Sequence, residues 1–306
     1  MPANLLSKIK GPLVAIGLLV IGLLLSSLNN KTYFDQFFFG AENKTPAPSI
    51  TNLAIQNYLQ AETGKLPGNY CVYIKDLKRG ATYKVNANQP LATASIYKLA
   101  VMYKTYDAIN RGELKKEDVL TEDESTLDQI LKPEADTNTS GTVSYMVADA
   151  LRAMITVSDN YSALLLADKL GWKNIDDFLK QQKIEGFDLV GGQQPTATAE
   201  AVAILLERIF RNTAVNSQSS EEMKGLLLAQ QVNDRIPKYL PKDTKVAHKT
   251  GELDNFRHDA GIIYGKNSTY IFVFLSETPA PGDAVENIAN LSQKMYDALE
   301  NPNSLK

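Results

Sequence analysis

Histidine and cysteine are nearly missing from this chain. Its 306 residues include two histidines, His248 and His258, and one cysteine, Cys71. A single cysteine excludes an internal disulfide. So small a stock also argues against a multi-histidine or cysteine-rich metal centre, and leaves little for a histidine-based triad. Neither a metal nor a cofactor is expected. Cys71 lies in "NYCVYIKDL", which alternates like a strand, so its thiol is expected in the core. An excess of positive charge is missing too. The formal net charge is −3, and a nucleic-acid partner would need a basic face. The chain has no internal repeat and no low-complexity run.

Hydrophobic residues make up 44% and charged residues 22%, a balance that suits a packed core. The N-terminus is a separate object. Gly11–Leu28 holds 18 uncharged, mostly apolar residues after Lys8 and Lys10. A run of that length can just span a bilayer as a helix. The lysines place residues 1–10 in the cytoplasm. A cleaved signal peptide is the alternative, but its apolar region is usually shorter, and no A-x-A-like site follows Leu28. The expectation is a single-pass anchor at 11–28 in the cell membrane, with the rest of the chain outside the cytoplasm. Residues 29–48 read as a linker.

A folded domain is expected over 49–302. "SITNLAIQNYLQAET" has helical spacing, with Ser49 or Thr51 as its N-cap. "GNYCVYIKDLKRGATYKVNAN" reads as a β-hairpin. Helical patterns fill 95–110, 143–156, 160–170, 173–183, 198–211 and 220–232. The charge-rich "KKEDVLTEDESTLDQ" reads as a solvated loop. Three strands then follow, in "VAHKTGEL", "HDAGIIYG" and "STYIFVFLSE", and an amphipathic helix closes the chain. The simplest α+β fold pairs five strands in one antiparallel sheet (49–90 and 245–302). Terminal helices would cover one face, with a helical lobe (91–244) beside it. A site would lie between the two parts.

The chemistry starts at "TASIYKLA". Ser95 stands three positions before Lys98 at the head of an apolar helix, so both lie on one face. A buried lysine beside another cation loses basicity and can take a proton from serine. The helix start offers free backbone N–H groups for an oxyanion. Alone, S-x-x-K reads as an N-cap serine and a stray lysine, because short motifs recur by chance. Ser158-Asp159-Asn160 follows 63 positions later, between two helices. Lys249-Thr250-Gly251 then lies on a strand. Gly251 removes a side chain that would block close approach.

S-x-x-K, S-D-N and K-T-G in this order resemble the signature of class A β-lactamases and penicillin-binding proteins. "SIYKL" and "MITVSDN" resemble the class A branch especially, and the order of elements over about 49–300 matches that fold. The resemblance implies a serine hydrolase. Ser95 would be the nucleophile and Lys98 its base, and Ser158 would relay a proton to the leaving nitrogen. Asn160 would bind the substrate's amide side chain, and Lys249 and Thr250 its carboxylate, with Lys249 also depressing the pKa of Lys98. The N–H groups of Ser95 and Glu252 would form the oxyanion hole. Arg257 or His258 would add positive potential, or else form a surface ion pair. One departure stands out. The class A pattern has a loop glutamate, with an asparagine four residues on, that positions the deacylating water. "KIEGFDLVGGQQPTATAEA" lacks that pair. Glu185 and Asp188 are its only acids before Glu200 and read as loop charges. The substrate would be a β-lactam, turned over slowly. The alternatives are a D-Ala-D-Ala-type peptide substrate for a carboxypeptidase or transpeptidase, and a non-catalytic binding module.

Overall fold

Alternation of buried side chains sorts the chain onto the two faces of a central sheet. The computed structural model describes residues 51–131 and 140–302. The expected anchor at 11–28, the linker at 29–48 and Ser49 lie outside the described residues. Among the described residues, no helix is long and apolar enough to cross a membrane.

The sheet holds β1 (Asn69–Asp76), β2 (Thr82–Val85), β8 (Lys245–Leu253), β9 (Phe256–Tyr264) and β10 (Thr269–Glu277) in the order β2-β1-β10-β9-β8, all antiparallel. On β10, Tyr270, Phe272 and Phe274 join one core cluster, while Ile271, Val273 and Leu275 join the other. Successive side chains of a strand point to opposite faces, so a strand covered on both sides is apolar throughout. The first face is covered by α1 (Leu53–Thr63) through Ile55 and Leu59, and by α9 (Pro281–Glu300) through Ile288, Leu291, Met295 and Leu299. Both terminal helices therefore share one face, as the sequence suggested. Each fully buried Phe or Leu on these faces contributes about 2 kcal/mol relative to exposure. Cys71 sits buried on the other face of β1 as a free thiol.

The helical lobe packs against that other face. Its helices are α2 (Lys98–Asn110), α3 (Glu124–Leu131), α4 (Val147–Thr156), α5 (Asn160–Leu170), α6 (Trp172–Gln181), α7 (Ala199–Phe210) and α8 (Ser217–Leu228). Small sheets interrupt it. β3 (Leu91–Ala92), β6 (Phe187–Asp188) and β7 (Thr196–Ala197) form one, in the order β3-β7-β6. β4 (Val119–Asp123) and β5 (Thr142–Met146) form a ribbon.

Four expectations need correction. Asn52, not Ser49 or Thr51, caps α1, its side chain accepting from the N–H groups of Ala54 and Ile55. The stretch read as a solvated loop holds β4 and most of α3. Residues 143–146 belong to β5 and not to a helix. Ser95 lies in a 3-10 turn, Ala94–Tyr97, that leads into α2.

Candidate active site

The turn that carries Ser95 is held from three sides. Thr93 donates its N–H to the carbonyl of Pro195 at 2.8 Å. β3 pairs with β7 just before the turn. β8, the edge strand, lies against the turn at Gly251, where a Cβ would meet Thr93 O, Ile96 Cγ1 and His258 Cδ2 at 3.1 Å each. A Cβ there would make these neighbours give by a few tenths of an ångström, so the glycine serves the close packing of β8 against the turn. Ala94, immediately before Ser95, has φ of 45°. A left-handed backbone on a residue with a Cβ is strained, and such strain gathers at functional sites.

Ser158 and Asn160 arrive from the junction of α4 and α5. Asp159 caps α5 by accepting the N–H of Ser162 at 2.8 Å, and Ser158 before it has φ of 60°. That conformation places both its carbonyl and its hydroxyl on Lys98. Lys98 Nζ donates to Ser158 O at 2.7 Å, to Asn160 Oδ1 at 2.7 Å and to Ser158 Oγ at 3.3 Å. Lys249 Nζ donates to Ser158 Oγ at 2.9 Å and to Thr250 O at 2.6 Å. Ser158 Oγ therefore accepts from both ammoniums, leaving its own proton to point elsewhere. Ser95 and Lys98 share a face, because side chains three apart eclipse in a 3-10 turn. Among the described residues, the Ser95 hydroxyl makes no hydrogen bond. The expected contact with Lys98 Nζ is not formed, since all three protons of that ammonium are engaged with Ser158 and Asn160.

Both lysines are fully buried. Burial pushes the Lys98 ammonium down to about 7, with the Asp159 charge opposing it. Lys249 is also pushed well down, by burial first and then by the charge of Lys98. An amine near 7 is partly neutral at neutral pH and can accept a proton.

His248, Thr250 and Glu252 alternate onto the opposite face of β8 from Lys249 and Gly251. The segment 233–236 covers that face. Asn233 Oδ1 meets His248 Nε2 at 3.1 Å, and Arg235 Nη2 donates to Glu252 Oε2 at 2.7 Å. Asp259 ties the two together, meeting His248 Nδ1 at 2.8 Å through Oδ1 and accepting the N–H of Ile236 at 3.0 Å through Oδ2. Arg235 is 1% exposed, and its charge is felt at Lys249. Neither Arg235 nor His248 was singled out from the sequence. "NDRIPKYLP" has no periodicity, and its seat beside β8 is a tertiary fact. The one available signal was that a scarce histidine directly precedes Lys249.

His258 does not supply positive potential. It is fully buried, Nδ1 accepts the N–H of Ser276 at 3.0 Å, and Nε2 meets the carbonyl of Ala92 at 2.8 Å. An imidazole that accepts at Nδ1 and donates at Nε2 is neutral, and burial pushes its pKa down to about 4. Arg257 donates to the carbonyls of Asp254 and Phe256 and pairs with Glu252 at 3.2 Å.

The short loop before α7 has no acid hydrogen-bonded to the site. Asp188 Oδ1 accepts the N–H groups of Val190 at 3.2 Å and Gly191 at 2.7 Å, which hold its pKa low. Both it and Glu185 are exposed. Buried Asp176 on α6 fastens the loop by accepting the N–H of Leu189 at 3.1 Å. Among the described residues, no group of three or more His, Cys, Asp or Glu is placed to hold a metal.

Comparison with known proteins places this architecture. The model of the family described as the "Beta-lactamase enzyme family" matches residues 53–299. Beta-lactamase BRO-1 of Moraxella catarrhalis is 28% identical over 176 residues, covering 50% of this chain and 55% of that protein. Beta-lactamase CARB-3 of Pseudomonas aeruginosa is 23% identical over 282 residues, covering 82% of this chain and 94% of that one. The solved structure of PBP-A superposes with a TM-score of 0.75 at 21% identity, over 84% of this chain and 99% of that one. At that identity the structural likeness speaks for the fold.

Proposed function

The chain belongs to the Beta-lactamase enzyme family, and from that premise we propose that it is a serine hydrolase that opens β-lactam amide bonds through an acyl-enzyme on Ser95. The observation that carries this reading is the convergence of two buried ammoniums on Ser158 Oγ, beside the turn that holds Ser95. In its neutral form Lys98 takes the Ser95 proton while Oγ attacks the carbonyl. The N–H groups of Ser95 and Glu252 receive the oxyanion. Ser158 gives its proton to the leaving nitrogen and is reprotonated from Lys98, whose hydrogen bond to Ser158 Oγ is already in place. Lys249 and Thr250 hold the substrate carboxylate, and an anion there restores charge to Lys249. Asn160 holds the amide side chain, once its bond to Lys98 is exchanged for one to substrate.

Deacylation is slow in this reading, because Asp188 is turned into its own loop and no acid of that loop is hydrogen-bonded to the site. The same observation supports a second reading, a D-Ala-D-Ala-type carboxypeptidase or transpeptidase that β-lactams trap. We further propose that residues 11–28 anchor the protein in the cell membrane, with the domain outside the cytoplasm, a placement checked by fractionation and N-terminal sequencing.

Intact-protein mass after mixing with benzylpenicillin tests the chemistry. The parent protein is expected to gain the mass of one penicillin. The Ser95→Ala variant is expected to gain none, and full labelling of that variant refutes the serine mechanism.

A further inference from the structure

The Glu252 side chain has no part in the chemistry above, yet it stands where a substrate anion would be received. It follows Gly251 on the edge strand β8 and shares a face with Thr250. Its carboxylate is 58% exposed and bridges two guanidiniums, with Oε2 on Arg235 at 2.7 Å and Oε1 on Arg257 at 3.2 Å. Arg235 is enclosed and its Nε has no partner. Its Nη1 lies 3.5 Å from Asp234 Oδ1. An enclosed guanidinium with an unused donor, packed over the face of β8 that Thr250 and Glu252 share, is a seat for a carboxylate. The chain itself supplies one.

We infer that Glu252 is a specificity-determining residue whose carboxylate competes with the substrate's own carboxylate for Arg235. The inference rests on the acyl-enzyme reading of the site. A substrate carboxylate approaching Thr250 meets a guanidinium already neutralised, and a like charge beside it. It must displace Glu252 toward solvent and Arg257 before it gains a charge-assisted bond. A substrate without a carboxylate meets no such obstacle. Glu252 therefore lowers the site's preference for anionic substrates without touching the reacting atoms.

The test compares acylation of the parent and of Glu252→Gln by benzylpenicillin and by its methyl ester. Glutamine keeps the backbone N–H and the side-chain shape but removes the charge. The ratio of the two second-order rate constants, carboxylate over ester, is expected to rise about three- to tenfold in the variant. A change in fold or stability alone would move both substrates together and leave the ratio in place. In the Arg235→Ala background the rise is expected to vanish. An unchanged or falling ratio overturns the inference, because Glu252 would then merely steady Arg235. A rise that persists without Arg235 overturns it too. Absence of an adduct on the parent with either substrate removes the acyl-enzyme reading and this inference with it. An acylated parent whose ratio does not move removes the inference alone.

Discussion

Ser158 Oγ sits between two buried lysines, and in the proposed acyl-enzyme mechanism that placement makes the chemistry depend on pH. Only the neutral form of Lys98 can take a proton from Ser95. With its pKa pushed down to about 7, acylation by benzylpenicillin should level off above about pH 7. Below that it should fall about tenfold per unit. A stopped-flow profile from pH 5 to 9 checks this, and a rate that stays flat through pH 6 would place the base elsewhere. His258 makes a second prediction, in stability. Its folded pKa of about 4 lies below the ordinary 6.5. Between those values the unfolded chain binds a proton that the native imidazole does not. The native state is thus favoured above about pH 6.5 and loses about 3 kcal/mol as pH falls toward 4. Urea titrations should show this slope. His258→Gln should be less stable at pH 7, for want of the bonds to Ala92 and Ser276, and flatter between pH 6.5 and 4. Ser95, Lys98, Ser158 and Lys249 were legible because short motifs fix them. Arg235 and the neutral state of His258 were not, since both depend on what the fold lays beside them.

Among the elements, the helices and strands with one or two buried faces were the readable ones. The ribbon of β4 and β5 was not. It lies at the surface, where Leu120 is buried and Val143 and Tyr145 are only half-buried, so its apolar alternation is short and weak, and the acids of β4 look like a loop. The 3-10 turn at Ser95 escaped for another reason: a three-residue spacing suits either helix type. The loop before α7 carries the prediction at this scale. Asp176 pins its backbone and Asp188 is spent on Val190 and Gly191. With no loop base for the second step, penicillin turnover should show a burst near one equivalent and then a slow phase. Loss of one positioned base costs about 10²–10⁴ in rate. Mass spectrometry during the slow phase should find the acylated protein. Fast linear hydrolysis without an adduct would mean that another group activates the water.

For the whole molecule, the division into a sheet part built from both ends of the chain and a helical part from the middle was visible in the order of patterns. The strand order was not, because alternation shows which face is buried and not which strand is the neighbour. Sequence-distant β1 and β10 lie side by side at the centre, with Tyr73 opposite Val273. That pairing sets a timetable. During synthesis the hairpin of β1 and β2 emerges early, and its inner edge then waits for a strand made some two hundred positions later. Until β10 arrives, the edge of β1 stays open to any other unpaired strand. Such long-range closure is slow. The residues around Ser95 are among the first made, yet the edge strand that faces them is among the last. A nascent fragment that lacks β8 lacks one wall of the turn that carries Ser95, and a newborn chain spends most of its synthesis in need of protection from its own kind.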